Sequence, residues 1–169
     1  MHLVPISHAA ISCDVRAAAK FLAVEELLCA RRITDGVRGG EMMPNSPLSK
    51  LRILVVEDEG LIALNLERML CHFGCEVIGP ISEVGDIIDA VRKHCPDGAL
   101  LDVNLRGRKV FDVLPELTSF GVPFVLISGY DDPTLFPAAF RDLPRIAKPF
   151  DESALHRVCL DFIGSARPI

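Results

Sequence analysis

The sequence has no tryptophan, one tyrosine and few other aromatic residues among its 169 residues. It also lacks an uninterrupted run of about 18 apolar residues, so no membrane-spanning segment is expected. The chain does not begin with a basic stretch followed by an apolar block, which argues against a secretory signal peptide. No strongly basic segment is present and the net charge is −5, so nucleic-acid binding has little electrostatic support.

The six cysteines form no CxxC pair, and no cluster of histidines accompanies them. This spacing argues against a structural zinc site. We therefore expect reduced structural thiols and a cytoplasmic protein. Half of the residues are hydrophobic, which is enough for a well-packed core.

Short apolar runs recur along the second part of the chain and predict an α/β fold. They begin near residues 52, 75, 98, 122 and 145. This nearly even spacing leaves room for one helix and two short loops between successive strands, which is typical of a parallel sheet. Predicted helices follow at about 60–72, 82–94, 111–121 and from 151 onward.

Acidic residues stand at the ends of two of these strands. Glu57, Asp58 and Glu59 follow the first run, and Asp102 ends the third. Parallel strands place their carboxyl ends along one edge of the sheet, so Glu57, Asp58 and Asp102 should converge. Carboxylates at about 4 Å repel by roughly 4 kcal/mol at an effective dielectric near 20, unless a cation is present. Oxygen ligands favour Mg²⁺.

Two further residues suggest a reaction at that edge. Ser128 ends the apolar run 122–127, and Lys148 follows the short run 145–147. A hydroxyl, an ammonium and Mg²⁺ around one carboxylate would bind phosphoryl oxygens while the carboxylate attacks phosphorus. The Lys148–Pro149 bond is predicted to be cis.

Taken together, these residues resemble the receiver domain of two-component response regulators, over roughly residues 50–163. The resemblance implies a flavodoxin-like (βα)₅ doubly wound parallel sheet of order 2-1-3-4-5. It implies that Asp102 is the phosphoacceptor, Ser128 the hydroxyl that binds the phosphoryl group, and Lys148 its ion-pair partner. The implied Mg²⁺ ligands are Asp58 directly, Glu57 through water, Asp102, and the backbone carbonyl of Asn104. The phosphoryl donor would be a sensor histidine kinase, and catalysis would be limited to the protein's own phosphorylation and dephosphorylation.

The segment from Phe124 to Tyr130 resembles the F-A-T-G-x-Y motif of single-domain alphaproteobacterial receivers, with serine in place of threonine. Members of that subgroup generally work with kinases of the HWE type. We therefore expect a receiver without a DNA-binding output domain. Two features depart from most receivers. Prolines at 133, 137 and 144 predict a short or irregular fourth helix, and Arg145 stands where most receivers carry an aromatic switch residue.

Residues 1–48 are predicted to form an N-terminal extension, and residues 49–169 the receiver domain. Residues 14–32 can form an amphipathic helix that binds a partner or dimerises, and the glycines and prolines that follow predict a flexible linker. A wholly flexible extension is the alternative, as is a translation start at Met42 or Met43. Oligomeric state and downstream partner are not indicated by the sequence.

Other functions remain open at this point. Taken singly, each site residue has an ordinary structural explanation, such as helix N-terminal charges or turn caps. A phosphorylation-independent interaction module is one alternative. A flavodoxin-like or haloacid-dehalogenase-like enzyme is another, but the acidic run 57–59 would repel an FMN phosphate, and it does not supply the Asp-x-Asp expected of a haloacid dehalogenase.

Overall fold

The computed structural model describes residues 46–129 and 136–164. These residues form a five-stranded parallel sheet of order β2-β1-β3-β4-β5. The strands are β1 (Arg52–Val56), β2 (Glu76–Ile81), β3 (Gly98–Asp102), β4 (Phe124–Ser128) and β5 (Arg145–Ala147). The predicted flavodoxin-like sheet and its strand order are confirmed, and each strand begins within two residues of its predicted start.

The central strands are buried on both faces because helices cover the sheet from both sides. Every residue of β3 and of β4 is buried. Alternate residues of β3 face two separate apolar clusters, with Leu101 in one and Leu100 in the other. This is the arrangement that continuous apolar runs predict for a parallel sheet. Leu48, which the predicted boundary places in the extension, is fully buried in the second cluster.

Four α-helices lie within the described residues. They are α1 (Gly60–His72), α2 (Ile87–His94), α3 (Leu114–Ser119) and α4 (Glu152–Phe162). The predicted second and third helices each begin with a 3₁₀ turn, at Val84–Asp86 and Val110–Val113. Helix α4 begins as predicted, because the Asp151 carboxylate accepts a hydrogen bond of 2.7 Å from the Ala154 amide.

A two-stranded hairpin follows β3 and was not predicted. Asn104–Leu105 pairs antiparallel with Arg108–Lys109, and the chain reverses at Arg106 and Gly107. Both turn residues have positive φ, 48° and 83°. Two such residues form the tight hairpin turn that suits twisted strands. Arginine is an unusual residue at the first position, which is why the sequence pattern did not reveal the turn.

The region between β4 and β5 is irregular in the part that is described. Residues 136–144 contain one 3₁₀ turn, Ala138–Phe140, and no α-helix. This agrees with the predicted short or irregular fourth helix, although residues 130–135 lie outside the described part. The predicted N-terminal helix and most of the predicted linker also lie outside it. No described helix is both long and apolar enough to span a membrane.

The predicted reduced state holds for three of the described cysteines, since Cys71, Cys75 and Cys159 are free thiols. Burial raises the pKa of Cys75 and of Cys159 from 9.0 to about 12, so both remain protonated. Cys13 and Cys29 lie outside the described residues.

Candidate functional site

Four predicted site residues lie at the carboxyl edge of the sheet. Asp102 is the last residue of β3, and Ser128 is the last residue of β4. Glu57 directly follows β1, and Lys148 directly follows β5. Glu57, Asp102 and Ser128 are 1%, 6% and 1% exposed. These three are the buried polar residues of the described chain, and together at one edge of the sheet they form a candidate site, since polar groups are rarely buried without partners.

Lys148 joins the two buried carboxylates. Its Nζ donates hydrogen bonds of 2.8 Å to Glu57 Oε2 and 2.8 Å to Asp102 Oδ2. Charge-assisted hydrogen bonds of this length are among the stronger contacts in proteins. The Glu59 carboxylate lies farther away, with Oε1 3.7 Å from the same nitrogen. Lys148 therefore holds Asp102 and Glu57 together. We call the group formed by these three side chains, with Ser128, Asp58 and Glu59 beside them, the pocket.

The backbone fixes the direction of this lysine. The Lys148 amide donates a hydrogen bond of 2.7 Å to the carbonyl oxygen of Ser128, which extends the pairing of β4 with β5. The Lys148–Pro149 peptide bond is cis, as predicted. Ser128 and Lys148 are thus held side by side at the ends of adjacent strands.

Asp102 and Asp58 each accept a hydrogen bond from the hairpin that follows β3. The Asn104 amide donates to Asp102 Oδ1 at 3.1 Å, and the Arg106 amide donates to Asp58 Oδ2 at 3.0 Å. The second oxygen of the Glu57 carboxylate accepts a hydrogen bond of 3.1 Å from the Glu59 amide. The hairpin therefore orients two of the predicted metal ligands, a role that the sequence did not reveal.

The electrostatics of the pocket leave negative charge in excess. Burial raises the pKa of the Glu57 carboxyl above its usual 4.5; the Lys148 hydrogen bond opposes this, whereas the charge of Asp102 adds to it. Burial alone would lower the pKa of Lys148, but its hydrogen bonds with Asp102 and Glu57 hold that pKa above its usual 10.5. One ammonium therefore faces two buried carboxylates, and a divalent cation would balance the remaining charge.

The donor set of the pocket fits magnesium. Carboxylate oxygens of Glu57, Glu59 and Asp102 lie within 4.8 Å of one another, and this is the only such acidic group within 46–129 and 136–164. Oxygen ligands in an open pocket suit Mg²⁺, which keeps part of its water shell. Glu59 was not predicted as a site residue. The acidic run suggested it, but only side-chain placement shows that Glu59, rather than Asp58, lies in this group.

No family model matches the sequence, but solved structures and curated relatives do. SdrG from Sphingomonas melonis Fr1 is 36% identical, with a TM-score of 0.58, and the match covers 67% of this chain and 94% of SdrG. The REC domain of the response regulator PhyR from Erythrobacter litoralis is 28% identical, with a TM-score of 0.59 and coverage of 67% and 89%. The transcriptional regulatory protein PdtaR of Mycobacterium tuberculosis is 32% identical over 108 residues, 62% of this chain and 52% of PdtaR.

The chain thus spans about half the length of the curated relatives that it matches. A more distant structure shares the fold and contains a metal. The receiver domain of the sensor histidine kinase PA1611 from Pseudomonas aeruginosa PAO1 is 20% identical, with a TM-score of 0.59 and coverage of 69% and 99%. A magnesium ion is coordinated in its active-site cleft.

Proposed function

The chain belongs to the response regulator receiver family, and from this premise we propose that Asp102 is its phosphoacceptor in a two-component phosphorelay. The observation that carries the proposal is the contact of Lys148 Nζ with both Asp102 and Glu57 at the carboxyl edge of the sheet. The contact joins two buried carboxylates to one ammonium. The proposed reaction uses the Asp102 carboxylate as the nucleophile and the Lys148 ammonium as a fixed cation.

In the proposed reaction, an oxygen of Asp102 attacks the phosphorus of the donor, and the bond between phosphorus and the donor's leaving atom breaks. The product is an aspartyl phosphate. Because Asp102 Oδ1 accepts a hydrogen bond from the Asn104 amide, this contact orients the carboxylate. Lys148 neutralises charge on the phosphoryl oxygens, and the Ser128 hydroxyl donates a hydrogen bond to one of them. Positioning and charge neutralisation are the main requirements of phosphoryl transfer.

The bound Mg²⁺ would supply further charge neutralisation for the phosphoryl oxygens. The resemblance to receivers supports Asp58 as the direct ligand, Glu57 through water, Asp102, and the backbone carbonyl of Asn104, although the acidic group itself contains Glu57, Glu59 and Asp102 and not Asp58. The Glu57 carboxylate already accepts hydrogen bonds from Lys148 and from the Glu59 amide.

The phosphoryl donor is proposed to be a sensor histidine kinase, and the resemblance of residues 124–130 to the F-A-T-G-x-Y motif supports one of the HWE type. The protein is proposed to act in the cytoplasm. It is proposed to signal by docking on a protein partner, or to serve as a phosphate sink within a relay. A metabolic activity, nucleic-acid binding and membrane binding are not part of this proposal.

Intact mass spectrometry after incubation with acetyl phosphate and Mg²⁺ tests the proposed function. We expect the mass of one phosphoryl group to be added, and we expect EDTA or Asp102→Asn to prevent the addition. The Asn side chain keeps the shape of the residue but is a much poorer nucleophile. Equal labelling of the Asn variant would refute the site. If folded wild-type protein is not labelled at all, the phosphorylation-independent interaction module becomes the better account.

Magnesium titration tests the proposed division of ligand roles. Asp58→Ala is expected to weaken Mg²⁺ binding by more than Glu57→Ala, because a direct ligand neutralises charge at the metal whereas a water-mediated residue mainly orients. Glu59→Ala is a useful comparison, since Glu59 belongs to the acidic group but has no assigned ligand role. Isothermal titration calorimetry measures all three affinities. Equal affinities for the Asp58 and Glu57 variants would contradict the assignment.

A further inference from the structure

The residue that occupies the usual aromatic switch position makes a contact that links the pocket to the irregular segment before β5. Arg145 is the first residue of β5, three residues before Lys148. Its Cζ lies 5.2 Å from the centroid of the Phe136 ring. A guanidinium within about 6 Å of a ring centroid is attracted by the electrons of the ring face.

The same guanidinium also holds the far end of this segment. Arg145 Nη1 donates a hydrogen bond of 2.8 Å to the carbonyl oxygen of Arg141. The Arg141 side chain in turn donates from Nε to the carbonyl oxygen of Phe136, at 3.3 Å. Arg145, Phe136 and Arg141 thus form a closed set of contacts, which we call the Arg145 clamp. It ties both ends of residues 136–141 to strand β5.

Phe136 is the anchor on the other side of the clamp. Its side chain is 2% exposed. Its ring contacts Phe111 edge-on with centroids 5.7 Å apart, and Phe111 stacks on Phe140 at 5.4 Å. Phe111 belongs to the 3₁₀ turn that follows the hairpin after Asp102. Residues 136–141 are therefore held between β5 and the 3₁₀ turn that follows Asp102 and the hairpin.

Strand β5 joins the Arg145 clamp to the pocket through its backbone pairing with β4. Arg145 lies opposite Leu126 of β4, and Ala147 lies opposite Ser128. The Lys148 amide is hydrogen-bonded to the Ser128 carbonyl at the pocket end, and the Leu126 amide donates to the Pro144 carbonyl at 2.9 Å at the clamp end. Because the strand is only three residues long, a shift at Lys148 reaches Arg145 without an intervening flexible joint.

We infer that Arg145 is a positioning residue that couples the phosphorylation state of Asp102 to the order of residues 136–141. The inference rests on the proposed function. A phosphoryl group on Asp102 gives both Ser128 and Lys148 an additional partner, so the ends of β4 and β5 become more firmly held. The guanidinium on β5 is then fixed more firmly above Phe136. The segment thereby becomes a more rigid surface when Asp102 is phosphorylated.

Amide hydrogen exchange at Phe140 reports on the clamp, because this amide donates a hydrogen bond of 2.8 Å to the Pro137 carbonyl inside the segment. In the absence of any phosphoryl analogue, Arg145→Gln and Phe136→Leu should each lower its protection by about 5- to 30-fold. The double variant should lower protection by less than the two single losses combined, because both substitutions break the Arg145–Phe136 contact, although each also removes a contact of its own. Strictly additive losses would overturn the clamp.

The coupling is tested with beryllofluoride and Mg²⁺ as the phosphoryl analogue. Wild-type protein should gain protection at Phe140, and Arg145→Gln should gain less than about a third as much. Arg92→Gln is the matched control, because the Arg92 Cζ lies 5.7 Å from the Phe120 ring in a contact of the same kind that involves neither β5 nor residues 136–141. It should keep the full gain. A full gain in Arg145→Gln, or no gain in the wild type, would overturn the coupling.

Labelling with acetyl phosphate distinguishes a failure of the Arg145 clamp from a failure of the proposed function. Arg145 touches none of the pocket groups, so Arg145→Gln should be labelled on Asp102 as completely as the wild type. Normal labelling together with an unchanged exchange response refutes only the clamp. Absent labelling of the wild type refutes the proposed function, and the double-variant cycle still decides whether the clamp itself exists.

Discussion

At the scale of single residues, Lys148 decides the charge balance of the pocket. Its ammonium contacts Glu57 and Asp102, both of which are almost fully buried. A buried charge that loses its partner is costly, because neither water nor a counter-ion replaces the lost interaction. In the absence of a metal, the stability of the folded chain should therefore depend on this lysine.

We expect Lys148→Ala to lower the free energy of unfolding by up to about 3 kcal/mol in EDTA, since it leaves two carboxylates facing each other. Addition of Mg²⁺ should recover part of the loss. Urea denaturation followed by circular dichroism measures both effects. Glu57→Gln in the Lys148→Ala background is the matched control and should restore stability, because only one buried carboxylate then remains. Unchanged stability of Lys148→Ala in EDTA would contradict this account of the charges.

At the scale of helices and strands, the packing of β3 against the end of α4 sets a tight limit on one residue. A Cβ placed on Gly98, the first residue of β3, would lie 2.4 Å from Ile163 Cγ2. Ile163 is 2% exposed and belongs to the core, so it has little room to move. The glycine is therefore required for close packing rather than for a turn.

Gly98→Ala is expected to destabilise the fold by about 1–3 kcal/mol through overpacking. Gly85→Ala is the matched control, because a Cβ there meets nothing within 4 Å, and it should change stability by less than about 1 kcal/mol. Combining Gly98→Ala with Ile163→Ala should cost less than the sum of the single changes, because the clashing atoms are gone. Additive losses in urea denaturation would show that the two residues do not compete for the same space.

The elements themselves were largely predictable from the sequence, for a physical reason. Strands buried on both faces need continuous apolar runs, and such runs stand out from the amphipathic helices between them. The hairpin after β3 was missed because its two-residue strands are too short to show a pattern, and its turn is Arg106-Gly107 rather than Asn-Gly. The sequence pattern does not separate the 3₁₀ turns before α2 and α3 from the helices themselves, since the two conformations have similar side-chain spacing.

At the scale of the whole molecule, the parallel sheet brings residues far apart in the sequence to one edge. This rule predicts from the sequence alone that Glu57, Asp102, Ser128 and Lys148 lie at the same edge. The same rule does not show that Glu59 lies in the acidic group, because that depends on the conformation of the loop after β1. The contact of Arg145 with Phe136 depends on side-chain packing between segments, which strand order alone does not determine.

Chemical mapping of the phosphorylated residue tests the central claim most directly. The full chain is treated with acetyl phosphate and Mg²⁺, reduced with borohydride, which converts an aspartyl phosphate to homoserine, and digested for peptide mass spectrometry. The account predicts homoserine at position 102 in protein treated with both reagents and none when EDTA replaces Mg²⁺. Homoserine at another aspartate, with Asp102 intact, would contradict the assignment of the phosphoacceptor.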